Sequence, residues 1–234
     1  MFCYDRLHWT GGFDLERDVR TGHGPLGALY PANTGLPQKE GDTLMFLYLI
    51  PTGMNDPEQP TWGSWAGRYG QNEECPGKPY FWANQTDAWL GATNRDNTLA
   101  RWAADLQNDF RARMDWCVKS PTEANHRSLA VLNGETTGKI LRLGVRSGES
   151  VQLSASGSND PDGDVVTCEW FQYREVGTCQ DEVALRSNSG LTTSFVAPAC
   201  NRPETLHVIL RIQDNGQPAL CGYRRIVVTV RPAG

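Results

Sequence analysis

The chain has 234 residues and a mass of 26.0 kDa, with 39% apolar and 21% charged residues. This length suits one large domain or two small ones, and the apolar content excludes a largely disordered chain. The net charge is −5 and there is no run of Lys or Arg, which argues against nucleic acid as the main partner. The longest apolar run, residues 44–50, is too short to span a membrane.

The N-terminal residues 1–20 are rich in charge and have no apolar segment, so they do not resemble a signal peptide. Seven Cys and 14 Pro are nevertheless typical of an exported protein. We therefore expect a secreted protein whose true N-terminus lies upstream of Met1.

The composition changes near Ser120, because seven of the eight Trp precede this residue and only Trp170 follows it. The segment 119–126 is polar, contains one Pro and is typical of a linker. We therefore predict two domains, residues 1–120 and 121–234.

The second domain is predicted to be all-β. Apolar residues alternate along short segments that turn residues separate, as two packed sheets require. About 100 residues in roughly seven strands, with one Trp in mid-strand, is typical of an Ig-like sandwich. The predicted strands are 139–146, 150–155, 165–173, 192–196, 205–213 and 223–230.

In the first domain, the apolar run 43–50 predicts a buried strand. Residues 97–118 predict an amphipathic helix, because Leu99, Trp102, Leu106, Phe110 and Met114 recur every three or four positions. The stretch 51–95 has little periodicity, which indicates a functional loop or part of a larger domain.

Six phrases in order resemble nucleoside-hydrolase-like proteins of the cellulose-binding type. They are Gly22-His-Gly-Pro-Leu-Gly-Ala-Leu-Tyr-Pro31, Glu40-Gly-Asp-Thr43, Leu47-Tyr-Leu-Ile-Pro51, Asn55-Asp-Pro57, Trp62-Gly-Ser-Trp-Ala-Gly-Arg-Tyr69, and Gln107-Asn-Asp-Phe110 with Arg113-Met-Asp-Trp116. The resemblance implies an incomplete α/β nucleoside-hydrolase-like segment followed by an all-β Ig-like sandwich, which is also similar to PKD-type domains. It implies secretion and a carbohydrate or nucleoside-like ligand.

Nucleoside hydrolases open with an acidic cluster that holds calcium, and this sequence has no such run before Asp160. The resemblance therefore implies that the upstream part of the domain is missing and that this chain alone is inactive. Asp42 corresponds to a late calcium ligand of that family, although a carboxylate there could equally cap the following element. One carboxylate cannot fill the six to eight positions around calcium.

His23 lies in a Gly/Pro loop, and loops on an α/β scaffold often carry function. Its imidazole could contact a sugar or a leaving group, which makes it a possible catalytic residue. The structural alternative is a turn residue that is hydrogen-bonded to the backbone.

The best candidates for ligand binding are Trp62, Trp65, Arg68 and Tyr69. Flat aromatic faces stack on sugar rings, and a guanidinium donates paired hydrogen bonds to hydroxyls or a carboxylate. The alternative is that these Trp fill the core of an irregular loop, since Trp is usually buried.

The segment Asp160-Pro-Asp-Gly-Asp164 has three carboxylates and a Gly, a composition that can surround a hard cation. In a sandwich, Asp214 lies in the hairpin at the same end and could add a ligand. We therefore predict weak calcium binding by Asp160, Asp162, Asp164 and Asp214. An ordinary Asx turn is the alternative.

Strand directions favour a disulfide between Cys179 and Cys200, which flank neighbouring antiparallel strands at one end. A link between Cys168 and Cys221 is possible, or Cys168 is a buried thiol beside Trp170. The remaining three, Cys3, Cys75 and Cys117, lack zinc-type spacing and are expected to be buried free thiols.

Three functional hypotheses follow. In its full form the protein would hydrolyse an N-glycosyl or glycosyl bond, or bind a polysaccharide. The first alternative is a non-catalytic binding module for a polysaccharide such as cellulose. The second is an Ig-like structural spacer.

Overall fold

The computed structural model describes residues 14–32 and 46–234, and these residues form mainly β-strands with few helices. They divide into two units. Unit 1 comprises residues 14–32, 46–50, 57–126 and 216–220. Unit 2 comprises residues 51–56, 127–215 and 221–234. Each unit is therefore built from separate segments of the chain.

Unit 1 contains two small antiparallel hairpins and several short helices. The first hairpin pairs β1 (Tyr69–Gln71) with β2 (Trp82–Asn84), and the second pairs β3 (Asp87–Trp89) with β4 (Ala92–Asn94). The helical elements are a π-helical turn (Glu16–Arg20), α1 (Gly24–Leu29), 3-10 turns at residues 46–49 and Pro60–Trp62, α2 (Asn97–Ala100) and α3 (Ala103–Trp116).

The helix predicted over residues 97–118 forms, with an interruption between α2 and α3. The buried face of α3 is more polar than its apolar stripe indicated, because Asp105, Gln107 and Asp109 are buried with Ala103, Ala112 and Met114. Helix periodicity therefore identified the element but not the polar side chains that it buries.

The strand predicted over residues 43–50 is wrong where the structure describes it. Residues 46–49 form a 3-10 turn, in which Phe46 and Leu49 are about two-thirds exposed. Tyr48 alone is buried, and its hydroxyl donates to the carbonyl oxygens of Pro60 at 3.0 Å and Gly67 at 2.8 Å. A short apolar run does not by itself distinguish a strand from other buried segments.

All six strands predicted in the second part form, within two residues at each end. A four-stranded sheet has the order β5-β10-β9-β7, in which β10 runs parallel to β5 and antiparallel to β9, and β7 is antiparallel to β9. A second sheet pairs β6 with β8. The strands are β5 (Leu141–Arg146), β6 (Ser150–Ser154), β7 (Thr167–Gln172), β8 (Thr192–Val196), β9 (Glu204–Gln213) and β10 (Cys221–Arg231).

Both sheets of unit 2 contribute to one apolar core. Val151 and Leu153 of β6 and Phe195 of β8 pack with residues of the larger sheet, among which Trp170 is 1% exposed. The alternation that predicted these strands thus places one face of each strand in this core.

The central strand β10 is buried on both faces. Its outer face is covered by the segment Pro51–Asp56 of the same unit, where Met54 is fully buried. The Tyr223 amide donates to the Thr52 carbonyl at 2.9 Å. At Gly53, φ is +87°, and a Cβ would lie 1.9 Å from the Tyr223 carbonyl oxygen, so only glycine fits here.

A buried Arg–His contact lies on this covered face. The fully buried Arg225 donates to the Met54 carbonyl at 2.9 Å and to Nδ1 of His207 at 3.0 Å. Because arginine only donates, the imidazole is neutral. Burial, and secondarily the positive charges of Arg225 and Arg142, lower the pKa of His207 from 6.5 to about 3.

This lowered pKa predicts that the protein loses stability as the pH falls below 6.5. Unfolded His207 binds a proton between pH 6.5 and 3, whereas the folded imidazole does not, so the free energy of unfolding falls by up to about 1.4 kcal/mol per pH unit. His207→Asn should flatten the slope between pH 6.5 and 5 in urea titrations. Equal slopes for the variant and the parent would contradict the assignment.

Within the described part of the chain, each helix is too short or too polar to cross a lipid bilayer.

Candidate functional site

The loop that contains Trp62 and Trp65 is packed into unit 1. Trp65 is 1% exposed and Trp62 is half-buried. A tight turn closes the loop, in which the Ser64 and Gly67 amides each donate to the other residue's carbonyl oxygen. The Trp65 ring therefore presents no face to solvent. It is a core side chain, which is the alternative to ligand binding that the sequence left open.

Arg68, predicted to contact a ligand, is instead held by protein groups. Its guanidinium donates at 2.8 Å to Asp87 and at 2.6 Å to the Thr86 carbonyl oxygen. Arg101 binds the other oxygen of Asp87 at 3.2 Å. The Asp87 carboxylate is fully buried between these two cations. Arg68 thus has a structural role, which the sequence could not reveal because Asp87 lies 19 positions away.

Tyr69 is half-buried, and its ring packs at a tilt against Tyr48. Burial raises the pKa of its hydroxyl, and a hydrogen bond with Asn84 partly opposes this shift. Asn84 lies directly opposite Tyr69 in the β1–β2 register, which explains the contact. Of the four predicted binding residues, only Trp62 and Tyr69 keep partial exposure.

His23 immediately precedes α1, and its Nε2 lies 3.0 Å from the carboxylate of Asp115 in α3. The second oxygen of Asp115 binds Lys119 at 2.9 Å. This contact joins α1 to α3. A catalytic role for His23 stays a prediction.

The acidic segment of unit 2 forms an Asx turn. Asp160 accepts hydrogen bonds from the Ser128 hydroxyl at 2.8 Å and from the backbone amides of Asp162 at 2.8 Å and Asp164 at 3.3 Å. Asp214 is buried. Among the described residues, no three or more His, Cys, Asp or Glu are grouped in a way that could hold a metal ion. Asp42 lies outside those residues, and calcium binding stays a prediction.

Cys179 and Cys200, predicted to form a disulfide, are both free thiols. The Cys179 amide donates to the Thr205 carbonyl on β9, whereas the Cys200 sulfur contacts Ser147 and the Val230 carbonyl on β10. The two cysteines thus adjoin different strands.

The alternative pair, Cys168 and Cys221, is also reduced. Cys168 is paired with Ile212 of β9, which is paired in turn with Gly222 of β10. Two strand spacings are about 9–10 Å, which exceeds the usual limit of ~7 Å between bridged Cα atoms. Of the other cysteines in the structure, Cys75 is half-buried and Cys117 is exposed, not buried as expected. Cys3 lies outside the described residues.

The most exposed aromatic cluster in unit 1 is one that sequence reasoning missed. Tyr80, Phe81 and Trp82 are 68%, 50% and 49% exposed. Tyr80 and Phe81 end the loop between β1 and β2, and the Asn72 amide closes that loop on the Phe81 carbonyl at 2.9 Å. We call residues 69–84 the aromatic hairpin. Three consecutive aromatic residues after a Pro/Gly loop are a signal that could have identified it.

An open cleft of about 480 Å³ lies beside the aromatic hairpin, lined by Gln71, Asn72, Glu73, Pro76, Gly77 and Gln85. Gln71 is directly opposite Trp82 in the strand register, so the two side chains lie on the same face. One amide of the cleft lining, that of Gln71, therefore lies beside the exposed Trp82 ring. This arrangement suits a ligand with flat apolar faces and hydroxyl-rich edges.

The buried Asp87 carboxylate fixes the base of both hairpins. Arg68 precedes β1, Asp87 begins β3, and Asn97 of α2 donates to the Asp87 carbonyl at 3.0 Å. Arg101 also lies over the exposed Trp89 ring of β3, at 5.4 Å. The ion network thus connects both strand pairs with α2.

Asp87→Asn should lower the free energy of unfolding by about 3–5 kcal/mol, because two buried guanidinium groups lose their counter-charge. Asp96→Asn is the control, since its contact with Arg95 is 3.8 Å long and well exposed, and such pairs contribute about 0–1 kcal/mol. Tryptophan fluorescence in urea would measure both variants. Similar losses for the two would contradict the network's role.

Two family models match separate parts of the chain. Residues 7–69 match "Cellulose-binding Sde182, nucleoside hydrolase-like domain", and residues 150–230 match "Cellulose-binding protein Sde0182, C-terminal domain". No protein with a curated function matches the sequence.

Among solved structures, the chain is similar to a nucleoside hydrolase-related hypothetical protein from Saccharophagus degradans, which is associated with carbohydrate metabolism. The two are 30% identical, with a TM-score of 0.75. The match covers 93% of this chain and 53% of that protein, so this chain spans about half of its length. A 2,6-sialyltransferase from Photobacterium sp. is 16% identical (TM-score 0.30; 40% of this chain, 18% of that chain). The PKD domain of the KIAA 1837 protein is 14% identical (TM-score 0.29; 41% and 84%). Neither of these last two bears on fold or function.

Proposed function

We propose, from its membership of the Sde182 family of cellulose-binding, nucleoside-hydrolase-like proteins, that this chain binds a polysaccharide through the aromatic hairpin. The two models of that family together match more than half of its residues. The observation that carries this proposal is the exposure of Tyr80, Phe81 and Trp82 beside a polar cleft. Aromatic rings contribute large apolar area with little loss of conformational entropy, and the cleft supplies partners for hydroxyls.

This surface differs from the binding site that the sequence predicted. Trp65 and Arg68 are buried in the base of the hairpin region, whereas the three consecutive aromatic residues project to solvent. Clusters of exposed aromatic side chains of this kind commonly mark binding sites. We therefore assign ligand contact to the loop and β2, and support of that surface to Arg68.

We further propose that unit 2 is an Ig-like sandwich. Support comes from its two sheets, from the parallel edge strand β5 beside β10, and from the buried Trp170 in the shared core. Unit 1 would then be part of a nucleoside-hydrolase-like α/β domain, to which residues 7–69 are similar. The boundary at residue 120 stays a prediction.

Hydrolysis of a glycosyl bond, calcium binding and secretion stay predictions that rest on the family resemblance. A nucleoside is the alternative ligand, because an exposed aromatic ring can also stack on a base. Competition between these two ligand classes is therefore part of the test.

The proposal is tested by the binding of the purified chain to swollen, amorphous cellulose in a depletion assay. Trp82→Ala should weaken binding about fivefold, because one aromatic contact contributes about 1 kcal/mol. Phe46→Ala is the matched control, since Phe46 is an exposed aromatic of unit 1 outside the hairpin. Adenosine should not compete.

Three outcomes would contradict the proposal. The first is a parent chain that does not bind, and the second is equal loss in the two variants. The third is displacement by adenosine, which would favour the nucleoside-like ligand.

A further inference from the structure

We infer that the aromatic hairpin binds a single, uncharged glycan chain and not the flat face of a crystalline polysaccharide. This inference rests on the proposed function, because it assigns the form of the ligand to the same surface.

The aromatic rings of the loop are not coplanar. The planes of Tyr80 and Phe81 meet at 46°, with their centroids 5.3 Å apart. Two rings can lie on one flat crystal face only if their planes are nearly parallel. A free glycan chain can rotate about its glycosidic bonds, so successive sugars can meet rings of different tilt. The observed tilt therefore favours a chain over a planar surface.

The cleft at the aromatic hairpin offers hydrogen-bonding groups that a crystal face would not use. Its polar lining consists of Gln71, Asn72, Glu73 and Gln85. Chains inside a crystal pair their edge hydroxyls with neighbouring chains, whereas a free chain leaves these hydroxyls available. Because Gln71 lies beside Trp82 on one face of the hairpin, one sugar can contact both the ring and the amide.

The Gln85 side chain occupies the space that a side chain at position 70 would fill, and this space is open because residue 70 is glycine. A Cβ at Gly70 would lie 2.6 Å from the Gln85 amide nitrogen and 2.7 Å from its Cδ, so the glutamine side chain lies over this glycine. Gly70→Ala would therefore displace the Gln85 side chain, while Tyr80, Phe81 and Trp82 are all retained. The glycine therefore shapes the wall of the cleft on the hairpin face opposite to Gln71 and Trp82.

The net charge of the loop disfavours anionic glycans as ligands. Glu73, Glu74 and Lys78 are all exposed and give the loop a net negative charge. A polysaccharide with carboxylate groups would be repelled at short range. An uncharged chain avoids this cost, and carboxylate oxygens accept hydrogen bonds from its hydroxyls.

The test compares four probes with the full chain: the soluble ligands cellohexaose and carboxymethyl cellulose by calorimetry, and the insoluble amorphous and microcrystalline celluloses by depletion. We expect binding to cellohexaose and to amorphous cellulose, with cellohexaose displacing the protein from the latter. Binding to microcrystalline cellulose should be at least tenfold weaker, and binding to carboxymethyl cellulose about threefold weaker, since interactions between exposed charges contribute little. Gln71→Ala and Gly70→Ala should weaken cellohexaose binding about threefold or more, and Phe46→Ala should not.

The outcomes separate this inference from the proposed function. Strong binding to microcrystalline cellulose without displacement by cellohexaose would overturn the single-chain inference and leave polysaccharide binding intact. Equal binding to carboxymethyl cellulose would overturn the preference for an uncharged chain. Failure to bind any cellulose form would overturn both. Circular dichroism of Gly70→Ala should match the parent; if that variant is unfolded, Gln71→Ala decides the role of the cleft.

Discussion

The buried carboxylate of Asp87 is the interaction on which the proposed site depends. It is fully buried and pairs with both Arg68 and Arg101, and a buried charge is tolerated only when it is paired and hydrogen-bonded. Because Arg68 precedes β1 and Asp87 begins β3, this one group fixes the start of both hairpins. The two hairpins contain only three-residue strands, which are too short to hold themselves in place.

Unit 2 is stabilised differently, by a strand that is buried on both faces. One face of β10 packs into the shared apolar core, and the other is covered by residues 51–56. On that covered face, Arg225 donates hydrogen bonds to the Met54 carbonyl and to the His207 imidazole. Burial thus forces His207 to remain neutral, which connects the packing of this strand to the stability of the protein in mild acid.

The sequence predicted unit 2 better than unit 1. Alternating apolar residues indicate a strand with one buried face, so the pattern identified all six strands and the buried Trp170. The irregular parts of unit 1 have no such period. Whether Trp65 or Trp82 is exposed depends on contacts between residues that are distant in sequence. The Arg68–Asp87 ion pair is one such contact, and the composition of a loop does not predict it. The predicted disulfide failed for a related reason, because strand order alone did not place the Cys179 and Cys200 sulfurs.

The central claim is that the aromatic hairpin, and not the Trp62–Trp65 loop or the acidic turn of unit 2, contacts the glycan. Hydrogen exchange with mass spectrometry, with and without saturating cellohexaose, tests it most directly. The account predicts slower exchange in residues 70–85, with unchanged rates in residues 160–164 and 214–218. Protection confined to the acidic turn, or an unchanged hairpin at saturation, would contradict the account.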